Sequence, residues 1–95
     1  MNKNIALNNF LFKLEYETKY TEINIIYTYR IHPEIDMLEV LFESLTETGY
    51  KSLSKYITLT EIGQLKNYSI VIREWIKEFK NIKEKPYNKL NRRKK

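Results

Sequence analysis

The sequence predicts an α+β domain: an N-terminal β-hairpin followed by about three α-helices, with a flexible basic tail at the C-terminal end. Three observations predict it. Apolar residues alternate with polar ones in two early segments, they recur at helical spacing in two later ones, and the basic residues crowd into the last fifteen positions.

From Phe10 the chain alternates. Phe10, Phe12, Leu14 and Tyr16 fall on one side of an extended backbone, and Leu11, Lys13, Glu15 and Glu17 on the other, the period-2 pattern of a half-buried strand. After residues 18 to 21 a second alternation sets Ile23, Ile25, Tyr27, Tyr29 and Ile31 against Asn24, Ile26, Thr28 and Arg30. Two such neighbours predict a hairpin, although its turn lacks the Asn-Gly or Asp-Gly pair that would fix the register. On these strands Tyr16, Tyr27 and Tyr29 are read as core-facing rather than as a base-stacking platform.

Pro33 suits the first turn of a helix, where its missing N–H is no loss. A helix is expected next, with Ile35, Leu38, Leu41, Phe42 and Leu45 on one face, Asp36, Glu39, Glu43 and Glu47 on another, and Gly49 as its C-terminal cap. Thr58 with Glu61 three residues on reads as a capping box opening a helix near Leu59. From Leu65 an apolar stripe runs through Tyr68, Val71, Ile72, Trp75, Ile76, Phe79 and Ile82. Leu59 and Ile62 lie out of phase with it, so the segment divides into two helices with a turn between Ile62 and Ser69.

Ninety-five residues allow one hydrophobic core, and 42% hydrophobic residues are enough to build it. There is no cysteine, which excludes disulfides and thiolate metal sites and points to the cytoplasm. No window approaches the roughly 20 apolar residues of a membrane span, so no membrane partner is expected. Ile, Asn, Lys and Tyr supply 42 of the 95 residues, and their AT-rich codons point to an AT-rich genome, phage or mobile element.

Charge divides the chain. Residues 1–80 carry ten basic and eleven acidic residues, whereas 81–95 carry seven basic residues against Glu84. The expected organisation is therefore one domain over 1–80 and a flexible arm over 81–95.

Within the stripe, Glu61, Ile62, Gly63 and Ser69, then Arg73, Glu74 and Trp75, resemble the helix-turn-helix of excisionase- and MerR-type DNA-binding domains. Asn67 falls where that turn takes a left-handed residue. The likeness covers residues 58–79; its second helix is one residue short, and Lys66 stands at a usually apolar position. It implies that Ser69, Arg73 and Lys77 lie near DNA, with the second helix in the major groove. Without the resemblance, the same stripe is simply a core-facing helix or helical hairpin.

Lys83, Lys85, Lys89, Arg92, Arg93, Lys94 and Lys95 are the main candidate nucleic-acid contacts, since such a cluster releases counterions when it meets phosphates. The alternative is a solubilising terminus. Asp36, Glu39, Glu43 and Glu47, with no basic residue among them, are candidates for contact with a basic protein partner. Catalysis has little material: His32 is the only histidine, and Gly49 and Gly63 cannot form a phosphate-cradling loop. His32 with Arg30 and Tyr29 could serve a small ribonuclease, but a lone histidine before Pro33 reads better as a hinge residue. The expectation is a non-enzymatic nucleic-acid-associated protein without cofactor or metal. The alternative is a small phage or mobile-element inhibitor, anti-CRISPR-like, of a host nucleoprotein enzyme.

Overall fold

In the computed structural model, which describes residues 3–21 and 24–86, the first element is a helix and not a strand. Helix α1 spans Lys3–Lys19, strands β1 (Ile26–His32), β2 (Met37–Leu45) and β3 (Gly49–Thr58) follow, and helices α2 (Leu59–Gln64) and α3 (Tyr68–Lys80) precede a two-residue strand β4 (Lys85–Pro86). The four strands form one antiparallel sheet in the order β1-β2-β3-β4. The class is α+β, but the expected N-terminal hairpin is replaced by α1.

The reason lies in two overlaid rows on α1. Ala6, Phe10, Leu14 and Thr18 recur at i, i+4 and are buried, while Phe12, Tyr16 and Tyr20 make a second i, i+4 row that is exposed. The rows are offset by two residues. In sequence their superposition reads as the period-2 pattern of a strand, and Tyr16 faces solvent rather than the core.

The expected helix over Ile35–Leu45 is strand β2 instead. Leu38, Val40 and Phe42 are buried on one face, while Met37, Leu41 and Leu45 lie with Glu39 and Glu43 on the other. Apolar residues on both faces imitate helical spacing, and pairing with β1 and β3 on either side overrides the helix propensity of Leu, Met and Glu. Pro33 opens only a single 3-10 turn, Pro33–Ile35, after which Asp36 adopts a left-handed conformation (φ 54°, ψ 51°) and reverses the chain. Asp36 Oδ2 accepts from the Thr60 hydroxyl at 2.6 Å and from Thr60 N at 3.3 Å, and Leu59 N donates to Asp36 O, so this reversal is tied to the start of α2.

Gly49 is therefore not a helix cap. It is buried at the start of β3, where a Cβ would lie 2.3 Å from the Lys85 carbonyl oxygen, and its bare backbone lets β4 approach.

The C-terminal elements form where the sequence places them. Thr58 and Glu61 make the capping box: Glu61 N donates to Thr58 Oγ1 at 2.9 Å, and Thr58 N donates to Glu61 Oε1 at 3.1 Å. The phase break is real, with Leu65, Lys66 and Asn67 separating α2 from α3. Asn67 is an extended N-cap (φ −144°) whose Oδ1 accepts from Ser69 N at 3.0 Å, not the left-handed residue expected of the turn.

All three helices lie on the face of the sheet that carries Leu38, Val40, Phe42 and Ile57. Phe10, Leu14, Ile62, Ile72, Trp75, Ile76 and Phe79 come down on it to close the core. Trp75 meets Phe10 edge-on at 5.8 Å and Phe42 at 6.3 Å, and Phe10 also meets Tyr68 at 5.8 Å. The opposite face is covered by none of the described helices and shows cross-strand rows such as Arg30–Glu39–Tyr56 and Thr28–Leu41–Ser54. No helix among the described residues is long and apolar enough to cross a membrane.

Candidate nucleic-acid interface

Helix α3 ends in cations. Lys77 and Lys80 occupy its last turn, where the helix dipole favours positive charge. From β3, Lys51 reaches the same end: its ammonium donates to the Lys80 carbonyl at 3.1 Å and lies 5.7 Å from the centre of the Phe79 ring. Lys55, on the same face of β3, pairs with Glu78 at 2.9 Å. The helix closes with Asn81 N bonded to Glu78 O and Ile82 N to Phe79 O.

The chain then stays attached to the body through Pro86. Ile82 is half-buried against the core, and Glu84 accepts hydrogen bonds from the hydroxyls of Thr46 and Thr48 in the β2–β3 turn. Those two hydroxyls hold the Glu84 carboxyl below its ordinary pKa and keep it ionised. Lys85 pairs with Tyr50 and Pro86 with Gly49. Residues 81–86 of the expected arm thus take part in the fold; Lys89, Arg92, Arg93, Lys94 and Lys95 lie outside the described residues.

The result is a basic corner. Lys51 meets the end of α3 that carries Lys77 and Lys80, and Lys83 follows it, while Lys85, opposite Tyr50, lies on the other face of the sheet. Two of the nearby carboxylates are engaged, Glu78 by Lys55 and Glu84 by the two threonines, and Glu74 adds a third negative charge on the exposed side of α3. Lys51 and Lys55 went unrecognised in sequence. Their signal is alternation along β3, with Leu53 and Ile57 between and beyond them, which turns both lysines toward α3.

The other candidates are dispersed. Ser69 is buried at the start of α3, and Arg73 is turned to α1, where its Nε donates to Glu17 Oε1 at 3.1 Å. Lys77 is exposed. The four acidic residues do not form one helix face: Asp36 is bound to Thr60, Glu39 and Glu43 share the uncovered face of β2, and Glu47 sits in the β2–β3 turn. Tyr27 is half-buried and Tyr29 is exposed, because the helices lie over β2 and β3 and leave much of β1 bare.

His32 closes β1 and bonds Glu39 Oε1 through Nε2 at 3.1 Å, and the Tyr56 hydroxyl reaches Glu39 Oε2 at 3.5 Å. Acid and base are here spent on each other on an open surface. Among the described residues, no group of His, Cys, Asp and Glu is arranged to hold a metal ion. No protein-family model, curated protein or solved structure matches the chain.

Proposed function

We propose that the protein is a non-enzymatic nucleic-acid-associated protein of the cytoplasm, gripping phosphates with its basic corner and with the basic residues that follow Pro86. One observation supports this above the rest: Lys51 meets the end of α3 that carries Lys77 and Lys80, and from that end the chain runs through Lys83 and Lys85 into the part of the sequence that holds Lys89, Arg92, Arg93, Lys94 and Lys95. Residues 81–95 hold seven basic residues against Glu84, while residues 1–80 hold ten against eleven acidic ones, and the other sheet face keeps Glu39 and Glu43. Phosphates binding there displace counterions, and affinity falls steeply as salt rises.

Sequence readout through α3 has less support than phosphate gripping. Of the three residues the helix-turn-helix resemblance places near DNA, only Lys77 belongs to the basic corner. Ser69 is buried, and Arg73, although exposed, bonds Glu17 of α1 through Nε.

Electrophoretic shifts of duplex DNA, single-stranded DNA and structured RNA at two salt concentrations test the reading. Binding that weakens with salt and is reduced by removing residues 87–95 is the expected result. No binding to any of the three at low salt would overturn it.

The inhibitor reading draws on a separate observation, the uncovered sheet face on which Glu39 and Glu43 stand four residues apart on the same side. Its test is charge reversal of both. Loss of a host-protein complex, with nucleic-acid binding absent from the parent chain, would favour it.

A further inference from the structure

Helix α1 is apolar on two opposite sides. Ala6, Phe10 and Leu14 are buried, yet Ile5 is 54% exposed, Phe12 73%, Tyr16 48% and Tyr20 67%. At 3.6 residues per turn, Ile5, Phe12 and Tyr16 fall within about 40° of one another and Tyr20 about 40° further on, with Phe12 opposite the core row and Tyr20 toward its Ala6 edge. The stripe is ordered by its own contacts. The Tyr16 and Tyr20 rings lie 4.9 Å apart, and the ammonium groups of Lys13 and Lys19 sit 5.1 Å and 5.8 Å from the centres of those rings.

We propose that this stripe is a dimerisation surface whose occupant is a second copy of the chain, packed α1 against α1 about a two-fold axis. The proposal does not depend on the nucleic-acid reading.

Three features favour a second copy. The first is self-complementarity: Ile5 lies seven residues before Phe12 and Tyr20 eight after it. An antiparallel pairing centred near Phe12 sets Ile5 against Tyr20 of the other copy and Phe12 against its own counterpart, as an isologous interface requires. The helix dipoles are then opposed.

The second feature is area. An aromatic side chain presents roughly 200 Å², so at these exposures the four side chains leave about 500 Å² uncovered per copy. Complete burial of the stripe on two copies removes about 1,000 Å², the threshold of a specific interface, to which the flanking Asn9 and Lys13 add.

The third feature is charge. Helix α1 sets Lys3, Lys13 and Lys19 against Glu15 and Glu17, a net of only one positive charge, and Ile5 and Phe12 offer phosphates no donor. Lys13 and Lys19 flank the stripe at its tyrosines, so its apolar centre is matched by another apolar stripe and not by a polyanion.

Sedimentation of the full chain at about 100 µM, a concentration suited to an interface of this size, should give twice the 11.6 kDa chain mass. Phe12→Glu should raise the dimer dissociation constant about 30-fold or more, as losing a central aromatic anchor does. Its far-UV circular dichroism should match the parent's, because Phe12 is outside the core. Ile70→Glu, exposed on α3 and off the stripe, should leave the mass unchanged.

A monomeric parent chain overturns the proposal. So does a dimer that survives both Phe12→Glu and Tyr16→Glu, which would move the interface elsewhere, for instance to the free edge of β1. A monomer whose oligonucleotide affinity falls on Phe12→Glu would assign the stripe to nucleic acid instead.

Discussion

Arg73 on α3 donates from Nε to Oε1 of Glu17 on α1 at 3.1 Å, and this pair joins the first helix to the last. The partners are unequally placed: the Glu17 side chain is 11% exposed and that of Arg73 67%. The other oxygen of Glu17, Oε2, is buried without a hydrogen-bond partner among the described residues. Arg73 is therefore the main group that makes a charge at Glu17 tolerable, with Ser69 and Lys13 adding to it.

The consequence is a pH-dependent stability. Arg73, through its hydrogen bond, is the main cause holding the Glu17 carboxyl below its ordinary value of 4.5, against the opposing effect of burial. A group whose pKa is depressed by folding contributes stability above its unfolded value and loses it as pH falls through the lowered one. Arg73→Ala should lower the melting temperature at neutral pH, and the gap to the parent should narrow below pH 4.5. Glu17→Gln should cost less than Arg73→Ala at neutral pH, because it leaves no charge buried. Melting curves across the acid range check both; an Arg73→Ala deficit that does not change with pH would show that the ion pair is not its source.

Trp75 is 8% exposed and holds Phe10 of α1 and Phe42 of β2 against its two sides. Trp75→Ala should destabilise the fold by roughly 3 to 5 kcal/mol, the range for removing a large buried aromatic. That is a large fraction of a small domain's stability of about 5–15 kcal/mol. Phe10→Ala combined with Trp75→Ala should cost less than the sum of the two, since they share one contact. Denaturant midpoints read the result; an unchanged midpoint for Trp75→Ala would contradict its place in the core.

Trp75 also marks what was legible in the sequence. An amphipathic helix with one apolar face has a single reading, so the stripe from Tyr68, the capping box at Thr58 and Glu61, and the break before α3 could all be placed. Helix α1 and strand β2 could not, because each carries apolar residues on both of its faces. Two superposed helical rows look like a strand, and a strand with Leu38, Val40 and Phe42 on one side and Met37, Leu41 and Leu45 on the other looks like a helix. Strand β3 has Tyr50, Ser52, Ser54 and Tyr56 against Lys51, Leu53, Lys55 and Ile57, a contrast too weak in hydrophobicity to declare itself. The basic corner was hidden with it, for Lys51 joins Lys80 only once β3 is folded beside α3.

Gly49 offers a test of how the chain after α3 is held. A Cβ at this position would meet the Lys85 carbonyl oxygen at 2.3 Å and Glu84 Cγ at 2.9 Å, and the backbone oxygen cannot simply swing aside. Gly49→Ala should release β4 from β3 while leaving α3 and the core intact. Limited trypsin digestion should then cut after Lys83 faster than in the parent, with little change in melting temperature. Equal digestion rates would mean that β4 does not protect this segment.

Corner and tail can be separated by salt. Each phosphate neutralised on duplex DNA contributes about 0.9 to the slope of log affinity against log salt. Truncation after Pro86 removes Lys89, Arg92, Arg93, Lys94 and Lys95, so the slope should fall by about 4.5 if all five make contact. Lys77→Ala with Lys80→Ala should lower it by about two, and should do so alike for every duplex sequence, because phosphate contacts carry no base information. Arg73→Ala should act on stability through the bond from its Nε to Glu17, and a fall of about one in the slope would show that the exposed remainder of its guanidinium also meets phosphate. If Arg73→Ala instead weakens one duplex sequence and spares others without lowering stability, α3 is reading bases and phosphate gripping is an incomplete account. If the truncation lowers the slope while the Lys77 and Lys80 pair does not, the corner only anchors the tail and the contacts belong to residues 89–95.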